Sequence, residues 1–207
     1  MHRVFFTTFF GALLAAYFLV QPPNVNGEQL QKLLDSAQVE LAASGNGNSS
    51  GMAVLGFLKN NTQDEILIDI FLEGGMYLQN SGNGQNMAAL QIFHSGGSYY
   101  SDGSRYFLVL PSRENIPVVF IAFCADFDRD NPSQTQSFRP ISMPQGLRDI
   151  VSRLARYSQE TFDSDSDYTT AIQLALWRFQ GNTKAKISEK FGFDDEDWDI
   201  ATGIIGF

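Results

Sequence analysis

Hydrophobic and polar positions alternate with a period of about two through the middle of the chain, then shift to a period near 3.6 beyond Pro144. Between Val39 and Phe127 the strand-length segments are VELAAS, MAVLGFLKN, EILIDIFLEG, MYLQN, NMAALQIFH, RYFLVLP and IPVVFIAFCADF, divided by turn clusters such as NNTQD, NSGNG and HSGGSYYSDGS. Alternation is clearest at Ile66, Ile68 and Ile70 against Leu67 and Asp69. The segment ending at Cys124 is apolar at both parities, which predicts a central strand covered on both faces. Beyond Pro144, the stripe Leu147, Ile150, Val151, Leu154 and Tyr157 predicts a helix over 145–160. YTTAIQLALWRFQG predicts a second, buried helix closed by Gly181, followed by a third over Thr183 to Phe191 and a short fourth around Trp198. The expected fold is α+β: an antiparallel β-sandwich over about 39–127, then a C-terminal group of three to four helices over about 145–207. Ile68, Ile70, Leu108, Val119, Ile121, Leu154, Leu174 and Trp177 are its predicted core.

The N-terminal pattern belongs to targeting rather than to fold. His2 and Arg3 precede an uncharged run from Val4 to Val20, and the polar QPPNVNG behind it carries Val25 and Gly27 at signal-peptidase spacing. The expected organisation is a secretory signal over 1–27 and one domain over 28–207, secreted or held at the cell surface. Membrane contact is expected only through that segment if it stays uncleaved. A hydrophobic content of 43% with 18 Phe supplies core material that a disordered chain lacks. The formal net charge of −9 and the absence of a basic run exclude nucleic acid as a partner class. A single cysteine, Cys124, excludes an intramolecular disulfide. Asn48-Ser-Ser and Asn60-Asn-Thr are glycan acceptor sequons in a eukaryotic secretory route.

Catalytic and metal chemistry are thinly supplied. No phosphate-cradling loop or nucleophile elbow occurs, and no cofactor is expected. Cys124 and His94 are the one thiol–imidazole pair outside the signal segment, so the alternative function is a secreted cysteine-dependent hydrolase. Asp126, Asp128 and Asp130 alternate as oxygen ligands do in calcium loops, and Asp163, Asp165 and Asp167 repeat the spacing. Neither run is an EF-hand, because the sixth position is Asn131 or Tyr168 and the twelfth Ser137 or Leu174. The first run stays a calcium candidate only through another geometry, against solvated loop carboxylates.

A more specific pairing joins the thiol at the end of a buried strand to Gln173, a carboxamide inside a nearly all-apolar helix with Trp177 on the same face. A buried primary amide without partners costs about 1 to 3 kcal/mol, so something must satisfy it. It either bonds to backbone, with Cys124 a small hydrophobe, or is attacked by the thiolate to leave an internal thioester. At Phe123-Cys124 and Ile172-Gln173-Leu174-Ala175-Leu176-Trp177 the chain resembles the thioester domains of bacterial surface adhesins, which pair an aromatic-Cys segment with a later Thr-Gln-x-Ala-hydrophobic-Trp helix. Ile172 replaces the threonine, and 48 residues separate Cys124 from Gln173. SGNGNSSG, QNMAALQI and FCADFDRDNP also resemble a widespread secreted family of unassigned function with a Gln-x-Ala-x-Trp helix. The first resemblance implies a thioester between Cys124 and Gln173, with Phe123, Ala175 and Trp177 around it. The expected function is an exported recognition or adhesion module that presents its sandwich surface or glycine-rich loops to a protein or glycan partner, non-covalently in the first instance and covalently where the thioester forms.

Overall fold

The computed structural model describes residues 24–94, 96–161 and 168–206. Its strands are β1 (Asn24–Val25), β2 (Val39–Gly45), β3 (Met52–Asn60), β4 (Ile66–Asp69), β5 (Phe71–Asn80), β6 (Met87–Phe93), β7 (Tyr99–Ser101), β8 (Tyr106–Leu110), β9 (Asn115–Cys124) and β10 (Ser137–Ile141). Its helices are α1 (Gly27–Asp35), α2 (Gln145–Glu160), α3 (Tyr168–Phe179), α4 (Lys184–Ser188) and α5 (Asp195–Ile205).

Six strands close into a barrel in the order β10-β2-β3-β9-β6-β5, every neighbouring pair antiparallel. A second sheet has the order β1-β4-β8-β7. The expected sandwich followed by a helical group is therefore wrong, for three physical reasons. The segment around Phe138, which carries no strong alternation, forms β10 and pairs with Ala43 on one side and Asn80 on the other, so the sheet meets itself and has no edge left to stack as a sandwich layer. EILIDIFLEG reads as one strand but is cut at Ile70: β4 belongs to the second sheet and β5 to the barrel. Asp69 Oδ1 accepts from Phe71 N–H at 3.0 Å, a side-chain bond that replaces the ladder at the corner. Nor do the helices form a trailing layer, since α1 precedes the barrel and packs on β5.

The barrel interior takes alternate residues of each strand, with the parity shifting at the irregularities in β3, β5 and β6. On β9 these are Ile116, Val118, Phe120, Ala122 and Cys124, all buried, facing Val54 and Leu58 of β3 and Met87 and Ile92 of β6 within one apolar core. Val119 and Ile121, expected in the core, lie on the outer wall and are half-buried. The double-sided cover expected of this strand exists only near its end, at Phe123. Ile68, Ile70, Leu108, Leu154, Leu174 and Trp177 are buried as expected.

α2 follows its predicted bounds and lays Ile150, Val151 and Leu154 against β5 and β6. Gly75 permits that approach, because a Cβ there would sit 2.3 Å from Val151 Cγ1. α3 is buried from Ala171 through Trp177 and contacts α5, α2 and the end of β9. The third predicted helix shrinks to the five residues of α4, while the fourth extends over Asp195–Ile205, started by a capping box between Asp194 and Asp197. Residues 1–23 of the predicted signal lie outside the described residues, as does the acidic run at 163–167. Asn24 and Val25 pair with Leu67 and Ile68, and Asn26 caps α1 through Gln29, so the last residues of the predicted signal are woven into the fold. No helix among the described residues is long and apolar enough to cross a membrane.

Candidate functional site

Cys124 is the last residue of β9, held opposite Met87 of β6. By alternation its side chain takes the inward parity, and the thiol donates to Met87 Sδ at 3.6 Å. Beyond Met52 the β3 ladder gives way to the loop before it: Gly51 O accepts from Ala122 N–H at 2.8 Å, and Ser49 O from Cys124 N–H at 2.9 Å.

Gln173 reaches this strand end from the middle of α3. Its Oε1 accepts from Cys124 N–H at 2.9 Å, and its Nε2 donates to Cys124 O at 2.9 Å. The carboxamide thus stands in for a peptide group of a neighbouring strand and spans the Cα of the residue that carries the thiol; of the two arrangements open to Gln173 this is the backbone-bonded one, with Sγ on Met87. Both residues are completely buried. Cys124 N–H has two acceptors, Ser49 O and Gln173 Oε1, in a three-centre bond.

Burial pushes the Cys124 thiol far above its ordinary range, with the charge of Asp126 adding to the effect. At neutral pH the group is a thiol, a weak nucleophile unless its proton leaves as the bond forms. Trp177 lies one turn beyond Gln173 and packs edge-on against Phe127 (5.1 Å) and Phe191 (5.2 Å), closing that side with aromatic rings. Its Nε1–H is buried with no acceptor among the described residues. Gln180 Nε2 donates to Ala125 O at 2.7 Å and ties the residue after α3 to the residue after β9. Phe123 is fully buried but, as the adjacent strand residue, takes the opposite face. Ala175 is buried two positions along the helix, on a different side from Gln173.

The other sequence candidates are dispersed. His94 follows Phe93, which pairs with Val119, whereas Met87 pairs with Cys124. Seven strand residues at about 3.3 Å each put His94 roughly 23 Å along the barrel wall from the thiol. Its backbone N–H and C=O are both bonded to Tyr99 Oη. Asp126 Oδ2 accepts from Asn86 N (2.9 Å) and Nδ2 (2.7 Å), Asp128 pairs with Lys186 at 3.1 Å, and Asp130 is exposed. Among the described residues no group of three or more His, Cys, Asp or Glu is placed to hold a metal ion. The Asn60 sequon is closed to modification in the fold: Asn60 is fully buried, and its Nδ2 donates to Asp64 O and Leu110 O. Asn48 is exposed.

Sequence reasoning paired Cys124 with Gln173 but missed Ser49 and Met87, which complete the surroundings of the thiol residue. The glycines and asparagines of SGNGNSSG mark a loop. Nothing in them says that its backbone bonds to Cys124. The wall cavity of about 620 Å³ lined by Leu34, Leu41, Phe57, Lys59 and Pro140 contains neither member of the pair. No protein-family model matches the chain, and no curated protein or solved structure matches it either.

Proposed function

We propose that this protein is an exported recognition and adhesion module in which Cys124 and Gln173 close an internal thioester for covalent attachment to a partner surface. The observation that carries the reading is the two-point docking of the Gln173 carboxamide on the peptide groups of Cys124, in a site with no solvent exposure. The docking holds the carboxamide on the residue that carries the thiol; the intramolecular step then requires Sγ to turn from Met87 to within about 3 to 3.5 Å of the carboxamide carbon.

The chemistry balances without an oxidant or a cofactor. Sγ of Cys124 bonds to the carboxamide carbon of Gln173, the C–N bond breaks, the thiol proton passes to the departing nitrogen, and ammonia leaves. Oε1 stays on the carbonyl and keeps Cys124 N–H as the donor for the oxygen on which charge develops. An amine of the partner then adds to that carbon, forms an amide and releases the thiol. Aromatic cover from Trp177 and Phe127 protects the bond from water until then. The hydrolase alternative gains no support, because its base is at the other end of β6 from the thiol.

Intact mass tests the reading. The native protein should be lighter than its sequence by one ammonia and gain the mass of one methylamine on treatment. Cys124→Ala should do neither. A freshly prepared native protein at its full unmodified mass removes the thioester.

A further inference from the structure

We propose that the loop from Asn46 to Gly51 is a lid over the Cys124–Gln173 pair, and that lifting it both uncovers the pair and releases the hydrogen-bond donor that activates it. The chemistry rests on the thioester reading above; the lid itself rests on geometry.

Gly47 and Asn48 are exposed while Cys124 is fully buried, and Ser49 O, next along the loop, bonds directly to Cys124 N–H. The loop thus lies with its backbone against the backbone of the thiol residue and carries residues that face solvent. Its six residues, Asn-Gly-Asn-Ser-Ser-Gly, include no large apolar side chain, so lifting it exposes little hydrophobic surface and disturbs none of the core. Gly47 (φ 100°) and Gly51 (φ 74°) occupy the left-handed region near its two ends, where a residue without Cβ turns at low cost. Ser49 O and Gly51 O hold the loop to β9, and a side-chain latch closes its neck: Asn46 Nδ2 donates to Met52 O, and Asn46 Oδ1 accepts from Asn48 N–H at 3.0 Å. Gly51 rests against α3, with Thr169 Cγ2 3.7 Å from the position a Cβ would take.

The shared donor couples cover to reactivity. With the lid down, Cys124 N–H divides itself between Ser49 O and Gln173 Oε1, each at 2.9 Å. With the lid up, the whole bond falls on Oε1, the acyl oxygen that gains charge when a nucleophile adds. Docking of a partner on the loop would thus open the path to the carbonyl carbon and polarise it in one motion.

Asn46→Ala tests this, because it removes the latch and leaves the loop backbone in place. In a Gln173→Ala background no thioester forms, and iodoacetamide reads access to Cys124 directly. Asn46→Ala should raise the native labelling rate about tenfold, the change expected on losing latch hydrogen bonds of ordinary strength. In the protein with Gln173 intact, the amide protons of Ala122 and Cys124 should exchange faster than that of Phe120, which pairs with Val54 inside the β-ladder. Asn46→Ala should accelerate only the first two. Unchanged labelling overturns the lid whatever the mass of the native protein. Full unmodified mass with faster labelling removes the thioester and leaves a lid over a free thiol.

Discussion

At the scale of the residue, Cys124 sets the terms for everything near it. Its burial makes the neutral thiol the native form, and its folded pKa lies above the ordinary value of 9.0. Folding therefore favours the protonated state. Below the unfolded pKa the group costs nothing; as pH rises past about 9 the unfolded chain loses a proton that the native chain keeps, and stability falls by about 1.4 kcal/mol per pH unit. Urea unfolding between pH 8 and pH 11 should show this extra decline in any preparation carrying the free thiol, relative to Cys124→Ala. A preparation carrying the thioester should not, because its sulfur has no proton to lose. Identical pH profiles for the free thiol and the alanine variant would mean that the thiol is not buried in solution. Gln173 illustrates the complementary rule. Its amide is tolerable in an apolar helix only because the end of a strand offers it one donor and one acceptor at matching spacing.

At the scale of the element, closure depends on β10, five residues that neither alternation nor β-propensity singled out. Phe138 is 4% exposed and lies in register with both Ala43 and Asn80, so one side chain fills the seam where the barrel meets itself. Phe138→Ala should cost about 3 to 5 kcal/mol in urea unfolding, the range for a large aromatic removed from a packed core. Phe57→Ala on the outer wall, 51% exposed, should stay within about 1 kcal/mol. Equal losses would show that the seam is not what holds the barrel. The loops follow a different logic from the strands, because those at the Cys124 end are held by hydrogen bonds among buried polar side chains rather than by apolar packing. Asn80, Asn86 and Asp126 form one such cluster and bind the β5–β6 turn to the residues just beyond β9.

At the scale of the whole molecule, one apolar core runs through the barrel, the second sheet and the helices. It includes Ile66 and Leu108 of the second sheet, Phe120 and Leu58 of the barrel, and Leu154, Leu174 and Ala201 of three helices. With no apolar boundary between the parts, unfolding should be a single transition. Far-ultraviolet circular dichroism and the fluorescence of Trp177 and Trp198 should give coincident urea curves. Two separated transitions would mean that the helices or the second sheet fold as an independent unit. The net charge of −9 belongs to this scale too, and its effect is on association. On the adhesion reading, the rate at which a basic partner surface is engaged should fall as salt rises, and a salt-independent rate would show that charge does not steer it.

Local chemistry sufficed for what the chain does over short distances. The bounds of α2 and β3, the buried character of α3, and the suspicion that Cys124 needs Gln173 all follow from side-chain period and from the cost of an unpartnered amide. Partnership at long range was not legible. Closure by β10, the cut at Ile70 and the outward turn of Val119 and Ile121 depend on which strands meet, and a two-residue period is the same in a barrel wall as in a sandwich layer. Ser49 over Cys124 was equally hidden, because its contact is made by a backbone carbonyl, which every residue possesses and which only the fold can aim.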